Sequence, residues 1–478
     1  FRFYNLKFPN TKMKINLLKK LRNINLEYYM LGLILIFALF LRVYALGSPP
    51  MWIDETISAV ASKNIIEHGV PVFDSGASYG RAYLFHYLEA FFILFSQSDF
   101  NARIISVIFG ILTVLFAYFI GKEYSKSGGL ISALFMAVFY LEVFYSRQAR
   151  FYQLFQLMFF LSLFLLYKSK DKKYMIWPAL VCFFITINTQ VAGLVLVPFF
   201  FIHILMYNRK HWYLSIIVLI PAFIHLVSVL AVTSGVDTAV NYISWYSGYT
   251  SNIQYLFILL IPGVIWGFFK NKRLTLLIVV PSLMLLFGIL FVKLFALRYM
   301  YFFVLPMVLY SSLLMAFLYD KYGKWIMLSI IVLLIFPSNL IFPYTYVNVI
   351  KPIDYNYRDF SAPEINYKTI PPYVVNELKD GKIMTFFSPG VEWYIDSPDY
   401  VFPYSMNGIG TDTISYNGKD VYSGAIVTTE RPSGEFYFVA DNFGLSKLRP
   451  SQKDKYDLIV KGCENLYSNR DLAVWHCK

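Results

Sequence analysis

Apolar runs of about 18 or more residues recur along this chain almost to residue 342 and then stop. Such a run is long enough to cross the hydrocarbon core of a bilayer as a helix, and a soluble domain has no interior large enough to bury so many. The chain therefore reads as an α-helical polytopic membrane protein. Its composition agrees, with 58% hydrophobic, 19% aromatic and only 15% charged residues over 478 positions. From residue 343 onward Asp, Asn, Gly, Pro and Ser become common and no spanning run remains. Residues 343–478 are accordingly expected to form a separate polar domain, of a size usual for a single folding unit.

Charge gives the orientation. Of 42 Lys and Arg and 29 Asp and Glu, 14 and 17 lie from Thr345 onward, which leaves 28 and 12 in the membrane part. Basic residues collect in cytoplasmic loops, so this surplus is a signal of topology, and nothing in the chain resembles a nucleic-acid motif. The segment 1–27 carries Arg2, Lys7, Lys12, Lys14, Lys19, Lys20 and Arg22 and is expected to be cytoplasmic. No small-residue cleavage site follows the first apolar run, so Tyr28 to Leu46 is read as a retained span. Later basic clusters, such as Lys168, Lys170, Lys172 and Lys173, or Lys270, Lys272 and Arg273, each enclose an outward and a return run. With the first span, this pattern gives about eleven transmembrane helices between residues 28 and 342, among them 127–145 and, last, 324–342.

One apolar run, Ala82 to Phe95, would invert every later cluster if it crossed. It is expected instead to lie in the outer interface, within a first outer loop of 47–100, as an amphipathic helix. His86 and Glu89 would then be ordinary residues of its polar face, and no His cluster supports a metal. An odd number of spans places the polar C-terminal domain on the extracytoplasmic side.

Cysteine usage bears on the same point. Cys182 sits in an apolar run and reads as inert packing. Cys463 and Cys477 have no His or Cys at metal-finger spacing around them and read as a disulfide, with two free thiols in a cytosolic domain as the alternative. The outside placement inferred from charge agrees with the disulfide.

The outer face then receives a distinctive group of polar residues. Pro49-Pro50-Met51-Trp52-Ile53 leads to the adjacent carboxylates Asp54 and Glu55, at the start of a helix predicted over Trp52 to Gly69 and lying on the membrane surface. Its apolar stripe is Ile57, Val60, Ala61 and Ile65, and Ser62, Lys63 and Glu67 are expected opposite. Arg81, Arg103, Arg147, Arg150 and Arg298 also fall outside, against the positive-inside trend. Membrane-edge acids and outward arginines are costly placements that point to function, and arginine forks suit a lipid phosphate.

Taken together, Trp52-Ile53-Asp54-Glu55 with Ser58 and Gly69-Val70-Pro71, Tyr79-Gly80-Arg81, Ala102-Arg103, Ser146-Arg147-Gln148-Ala149-Arg150-Phe151-Tyr152 and Arg298-Tyr299 leading to Pro306 carry a resemblance. Over residues 28 to 320 the chain resembles the GT-C superfamily of membrane glycosyltransferases, and within it the prokaryotic relatives of dolichyl-phosphate-mannose protein mannosyltransferases and aminoarabinose transferases. The resemblance implies transfer of a sugar from a polyprenyl-phosphate donor to an acceptor hydroxyl, on a glycan, lipid or protein, at the outer membrane face and with inversion. Asp54 would be the general base and Glu55 would position the acceptor or the base. Arg103, Arg147, Arg150 and Arg298 would hold the donor phosphate, with Arg81, Tyr152 and Tyr299 as further substrate contacts. No cofactor is required on this reading, although some members of the superfamily use a divalent metal. The rival reading is a polyprenyl-lipid or sugar transporter or flippase, for which polar residues at mid-span and related helix breaks are expected.

In the C-terminal domain, Ile383 to Phe387, Glu435 to Val439 and Leu458 to Val460 read as strands and Tyr373 to Lys379 as a helix. These segments predict a small extracytoplasmic α/β domain.

Overall fold

The computed structural model describes residues 26–233, 254–289, 301–325, 328, 365–404, 415–416 and 418–478. Its first part is helical: α1 (Leu26–Val43), α2 (Ile53–His68), α3 (Tyr83–Ile93), α4 (Asp99–Lys122), α5 (Lys126–Val138), α6 (Tyr140–Tyr145), α7 (Tyr152–Lys168), α8 (Ile176–Thr189), α9 (Val197–Tyr207), α10 (Leu214–Thr233), α11 (Gln254–Lys270), α12 (Lys272–Ile289) and α13 (Val304–Tyr322). Among the described residues, the segments Leu26–Val43, Asp99–Lys122 and Tyr301–Tyr322 are long and apolar enough to cross a membrane unaided, and shorter apolar helices pack with them. The protein is a multi-pass membrane protein. The last expected span, 324–342, lies largely outside the described residues.

The central helix α4 shows why these runs fold as they do. Ser98 caps it by accepting the Asn101 N–H at 3.3 Å, and Asp99 in its first turn and Lys122 in its last both suit the helix dipole. At 24 residues it is about 36 Å long, enough for the bilayer core. Gly110 on this helix is required by close approach, because a Cβ there would stand 2.5 Å from that of Ser146 and 3.0 Å from the Arg42 Nε.

The run expected as one helix over 127–145 is broken. Phe139 is extended (φ −63°, ψ 123°), separating α5 from α6. The carbonyls freed at the break are not left bare. Arg42, fully buried, donates through Nη1 to Ala137 at 3.0 Å and through Nη2 to Met136 at 3.2 Å. A buried guanidinium thus does inside the membrane part what water does at an exposed helix end.

Beside the spans, α2 and α3 pack on each other and on the start of α4. The α2 helix ends as expected at Gly69, whose φ of +78° lets its N–H reach the Ile65 carbonyl. The expected exposed faces are corrected. Val60, Ala61 and Ile65 are buried and Glu67 is exposed as expected, but Ser62 is buried against α3, and Glu55 and Ser58 are buried against Arg103 and Arg150, while a second layer covers α2. His86 and Glu89 also face inward, both fully buried. Ser62 donates to Glu89 Oε2 at 2.5 Å and meets His86 Nδ1 at 2.9 Å, so the polar stripes of the two helices face each other. The apolar side of α3, with Tyr83, Tyr87, Phe91 and Phe95, is the exposed one.

The covering layer is the C-terminal α/β domain. Its sheet has strand order β3-β4-β5-β2-β1-β6-β8-β7, from β1 (Ile383–Thr385), β2 (Tyr400–Val401), β3 (Ser415–Tyr416), β4 (Lys419–Asp420), β5 (Ile426–Val427), β6 (Phe436–Asp441), β7 (Glu464–Ser468) and β8 (Leu472–Cys477). β1 lies parallel between β2 and β6, and β6, β8 and β7 are antiparallel. Helices α14 (Pro372–Asp380), α15 (Ser388–Tyr394), α16 (Asn442–Ser446) and α17 (Pro450–Val460) pack around it. Leu458 to Val460, expected as a strand, ends α17. Pro450 at its first position and the Gln452 side chain bonded back to the Arg449 N–H at 3.0 Å start that helix. A short apolar triplet carries no period of its own, and the helix start upstream decides its conformation. Cys463 and Cys477 are joined as a disulfide across the β7–β8 pair.

Asp99 is the main fastening between the two parts. It accepts from Trp393 Nε1 at 2.9 Å and Tyr394 OH at 2.8 Å, and Lys368 Nζ lies 2.5 Å from it. Tyr394 OH in turn accepts the Met51 N–H at 2.8 Å. On the far side of α2, the turn after β4 meets the first loop: the Ser75 N–H donates to the Tyr422 carbonyl at 3.2 Å, and the Ser75 hydroxyl donates to that of Val421. Gly424 in that turn has φ +72°, and a Cβ there would come within 3.1 Å of the Ser75 Cα.

Candidate active site

The two neighbouring carboxylates at the start of α2 have opposite environments. Glu55, the third residue of the helix, turns back into the protein and is 2% exposed. It accepts from the Trp52 N–H at 3.3 Å and the Ala149 N–H at 2.6 Å, and Arg103 grips it with both prongs, Nε to Oε1 and Nη2 to Oε2, each at 2.8 Å. The remaining Arg103 donors go to the carbonyls of Leu46, Pro49 and Pro50 at 2.9 to 3.0 Å. A guanidinium has five N–H donors, and here every one is engaged by protein. Pro49 and Pro50 offer carbonyls without competing N–H groups, which suits a loop folded around a buried cation.

Asp54 lies on the open side of the same turn. Its side chain is 20% exposed, and its Oδ2 stands 3.6 Å from Arg150 Nη2. Arg150 Nη1 donates to the Asp54 carbonyl at 2.9 Å, Ser58 Oγ at 2.7 Å and Tyr79 OH at 3.1 Å. The guanidinium lies 4.8 Å from the ring centre of Phe151 and 5.6 Å from that of Tyr152. Arg81 is exposed and lies over the Tyr79 ring at 5.7 Å. The wall is completed from the C-terminal domain. Tyr422 packs edge-on against Phe73 at 5.1 Å, which packs on Tyr79 at 5.6 Å. Burial pushes the Tyr422 phenol above its ordinary range, and the fields of Tyr79, Asp420 and Asp54 add to that effect.

Of the arginines expected to hold a phosphate, the structure separates three by their partners. Arg103 has no donor to spare. Arg147 is buried and donates to the carbonyls of Leu41, Arg42, Tyr44 and Ala45 at 2.7 to 3.5 Å, capping the end of α1. Both are thus committed to protein partners, Arg103 to Glu55 and the 46–50 loop and Arg147 to carbonyls at the end of α1. Arg150 is buried but touches Asp54. Arg298 and Tyr299 lie outside the described residues. Tyr152 is 3% exposed, in a ring cluster with Tyr145 at 5.3 Å and Tyr301 at 6.2 Å.

Residues that sequence reasoning did not single out also belong to the site. Ser58 was noted only as part of a motif, and Tyr422 is more than 300 residues away in the chain. Behind the wall, His86 packs edge-on against Tyr79 at 4.9 Å. Burial holds its imidazole down to about 3, and pushes the Glu89 carboxyl well above the usual carboxylate range. Deeper still, the buried Glu142 accepts from Gln153 Nε2 at 2.9 Å, Gln156 Nε2 at 2.6 Å and Tyr301 OH at 3.0 Å. Among the described residues no three His, Cys, Asp or Glu side chains gather in a metal-binding group.

Comparison with known proteins follows this geometry. Residues 82–235 match the family model described as dolichyl-phosphate-mannose-protein mannosyltransferase. That segment holds Arg103, Arg147 and Arg150 but begins after Asp54 and Glu55. Comparison with curated protein sequences gives no match. Among solved structures, the chain is similar to ArnT from Cupriavidus metallidurans in the apo state, with TM-score 0.59, 11% identity and coverage of 94% of this chain and 97% of that one. For the same protein bound to undecaprenyl phosphate the TM-score is 0.61, again at 11% identity, over 93% and 97%. It is also similar to the oligosaccharyltransferase of Archaeoglobus fulgidus tethered with an acceptor peptide, with TM-score 0.51, 12% identity and coverage of 79% of this chain and 64% of that one. The likeness to ArnT spans both the membrane helices and the C-terminal sheet domain. The fold is that of the GT-C membrane glycosyltransferases, as expected from the motifs.

Proposed function

We propose that this protein is a glycosyltransferase that moves a sugar from a polyprenyl-phosphate donor to an acceptor hydroxyl at the outer membrane face, with Asp54 as general base. The observation that carries this reading is the contrast between the two carboxylates. Glu55 is spent on Arg103 and two backbone N–H groups, whereas Asp54 is 20% exposed beside Arg150, near the group of Tyr79, Arg81 and Tyr422. The ArnT likeness includes a structure with undecaprenyl phosphate, which supports a lipid-phosphate donor of this class.

In this mechanism the acceptor oxygen attacks the anomeric carbon and gives its proton to Asp54. The bond between that carbon and the phosphate oxygen breaks, and its electron pair leaves with the lipid phosphate. That leaving group needs a positive field more than a proton, and Arg81, exposed at the rim, supplies it. Arg150 holds Asp54 from behind, keeping the carboxylate aimed. Arg103 and Glu55 shape the turn that presents Asp54, so their role is positional. The extracytoplasmic side follows from the charge pattern and is consistent with the disulfide.

The test is transfer of labelled sugar from a panel of polyprenyl-phosphate sugars in membranes containing the intact protein or Asp54→Asn. The expected result is transfer by the intact protein and at least a hundredfold loss in Asp54→Asn, about the share general-base catalysis supplies, with the variant still folded. Retained transfer in Asp54→Asn would remove the base from this reading. Lipid that crosses the bilayer unchanged, with no donor consumed, would establish a flippase instead.

A further inference from the structure

The end of the membrane part opposite the proposed active site carries a second polar cluster, which the proposed reaction does not use. The α7 helix starts beside Asp54 at Tyr152 and ends about 25 Å away at Lys168, so its far end belongs to the other membrane face. There Lys170, Lys173 and Arg273 gather around Tyr207. Arg273 lies 4.7 Å from the ring centre and Lys170 5.8 Å, while Lys173 Nζ donates to the Tyr207 carbonyl at 2.6 Å.

Two neighbouring basic residues at this face are paired with acids. Lys122 pairs with Glu27 at 2.9 Å and Lys168 with Glu123 at 2.6 Å. Among the described residues, Lys170, Lys173 and Arg273 make no ion pair, and Asp171 is the acid whose field reaches Arg273. Two further features mark the corner as built for negative charge. Lys272 and Arg273 open α12, where their charge opposes the helix dipole, and an anion would reverse that conflict. Arg273 is also held in place, since its Nη2 donates to His203 Nδ1 at 3.3 Å and His203 Nε2 bonds Ser169 Oγ at 2.7 Å. Asn208, next to Tyr207, is 4% exposed, and its amide oxygen and nitrogen both lack a partner.

We propose that this corner binds the phosphodiester headgroup of an acidic phospholipid in the leaflet opposite the active site. A lipid fits better than a soluble phosphate because large apolar side chains stand exposed on the helices leading away from the cations: Trp177 at 50%, Ile202 at 54% and Met206 at 58%. Lysine and arginine take the phosphate, Tyr207 and Tyr167, whose ring centre lies 5.5 Å from Arg273, flank the headgroup, and the acyl chains run along α8 and α9.

The full chain, purified in mild detergent, is titrated with dioleoylphosphatidylglycerol, dioleoylphosphatidylcholine or inorganic phosphate. Native mass spectrometry reads the bound lipid, and a thermal melt reads stabilisation. The expected result is about tenfold or greater preference for phosphatidylglycerol, lost in Lys170→Gln/Lys173→Gln and kept in Lys170→Arg/Lys173→Arg. Lys321→Gln/Lys324→Gln, which removes the same charge elsewhere on this face, keeps the preference. Equal retention of both lipids, or equal loss in the two glutamine pairs, would overturn the site. Stabilisation by inorganic phosphate matching that by phosphatidylglycerol would overturn the lipid assignment.

Discussion

Replacing Glu55 by Gln is expected to damage folding far more than chemistry, although it sits beside the proposed base. The substitution keeps the shape but removes the charge facing Arg103, which is 3% exposed and holds three backbone carbonyls of the 46–50 loop. Removing one partner of a buried, hydrogen-bonded ion pair typically costs about 3 to 5 kcal/mol, because the other charge remains desolvated. Arg103→Met should cost about as much, for it frees the Glu55 carboxylate and the same carbonyls. Because both changes break one unit, Glu55→Gln/Arg103→Met should cost less than the sum of the singles, by about 1 to 3 kcal/mol. Asp54→Asn, at a carboxylate that is 20% exposed and 3.6 Å from Arg150, should cost less stability than Glu55→Gln. Unfolding of the detergent-solubilised variants measures all four, with transfer rates normalised to the folded fraction. If Arg103→Met folds like the parent and instead weakens only donor binding, the assignment of Arg103 to structure is wrong and the phosphate-binding expectation returns.

Three further outcomes follow from the same geometry. Arg81→Ala should raise the KM for the lipid donor about tenfold with stability unchanged, and Arg81→Lys should recover part of it; an unaltered KM would remove Arg81 from the donor site. Glu392 on α15 is 3% exposed, with neither carboxylate oxygen hydrogen-bonded, and burial, together with Asp74, Asp420 and Glu67 against Lys63, pushes it up to about 8. A carboxyl raised on folding binds more protons in the native state, so its cost grows as pH rises from its unfolded value to about 8. Glu392→Gln should therefore stabilise the protein by up to about 3 kcal/mol at pH 7 and not at pH ~4.5, and a gain independent of pH in thermal melts would refute the burial argument. Reduction of Cys463–Cys477, or Cys463→Ser, should cost about 3 kcal/mol by releasing a 14-residue loop, read as a lower melting temperature of the intact protein; an unchanged melt would argue that other contacts already close the β7–β8 hairpin.

Much of the architecture follows from local pattern. The apolar runs, the helix of α2 with its glycine stop, the helical conformation of α3 and the strands β1 and β6 all rest on periodicity or composition, which neighbours in the chain can specify. The cysteine pairing was readable because two cysteines without metal-finger partners leave few alternatives. The strand expected at Leu458 to Val460 failed where a short apolar triplet had no period to read. The helix over 127–145 failed where the break at Phe139 is stabilised by Arg42, a residue roughly a hundred positions earlier.

For the site, the sequence by itself determined that Asp54 and Glu55 begin a helix, and it singled out Arg103 and Arg150 as their companions. It could not tell the two acids apart, since adjacent residues on a helix point about 100° apart and only the surroundings give those directions meaning. Tertiary structure decided that Arg103 and the Ala149 amide close around Glu55, that Arg147 is consumed by the end of α1, and that Tyr422 brings the C-terminal domain to Asp54. The physical reason is hydrogen-bond satisfaction. A buried guanidinium is stabilised by each donor it places, and where the acceptors are backbone carbonyls, sequence carries no mark of them.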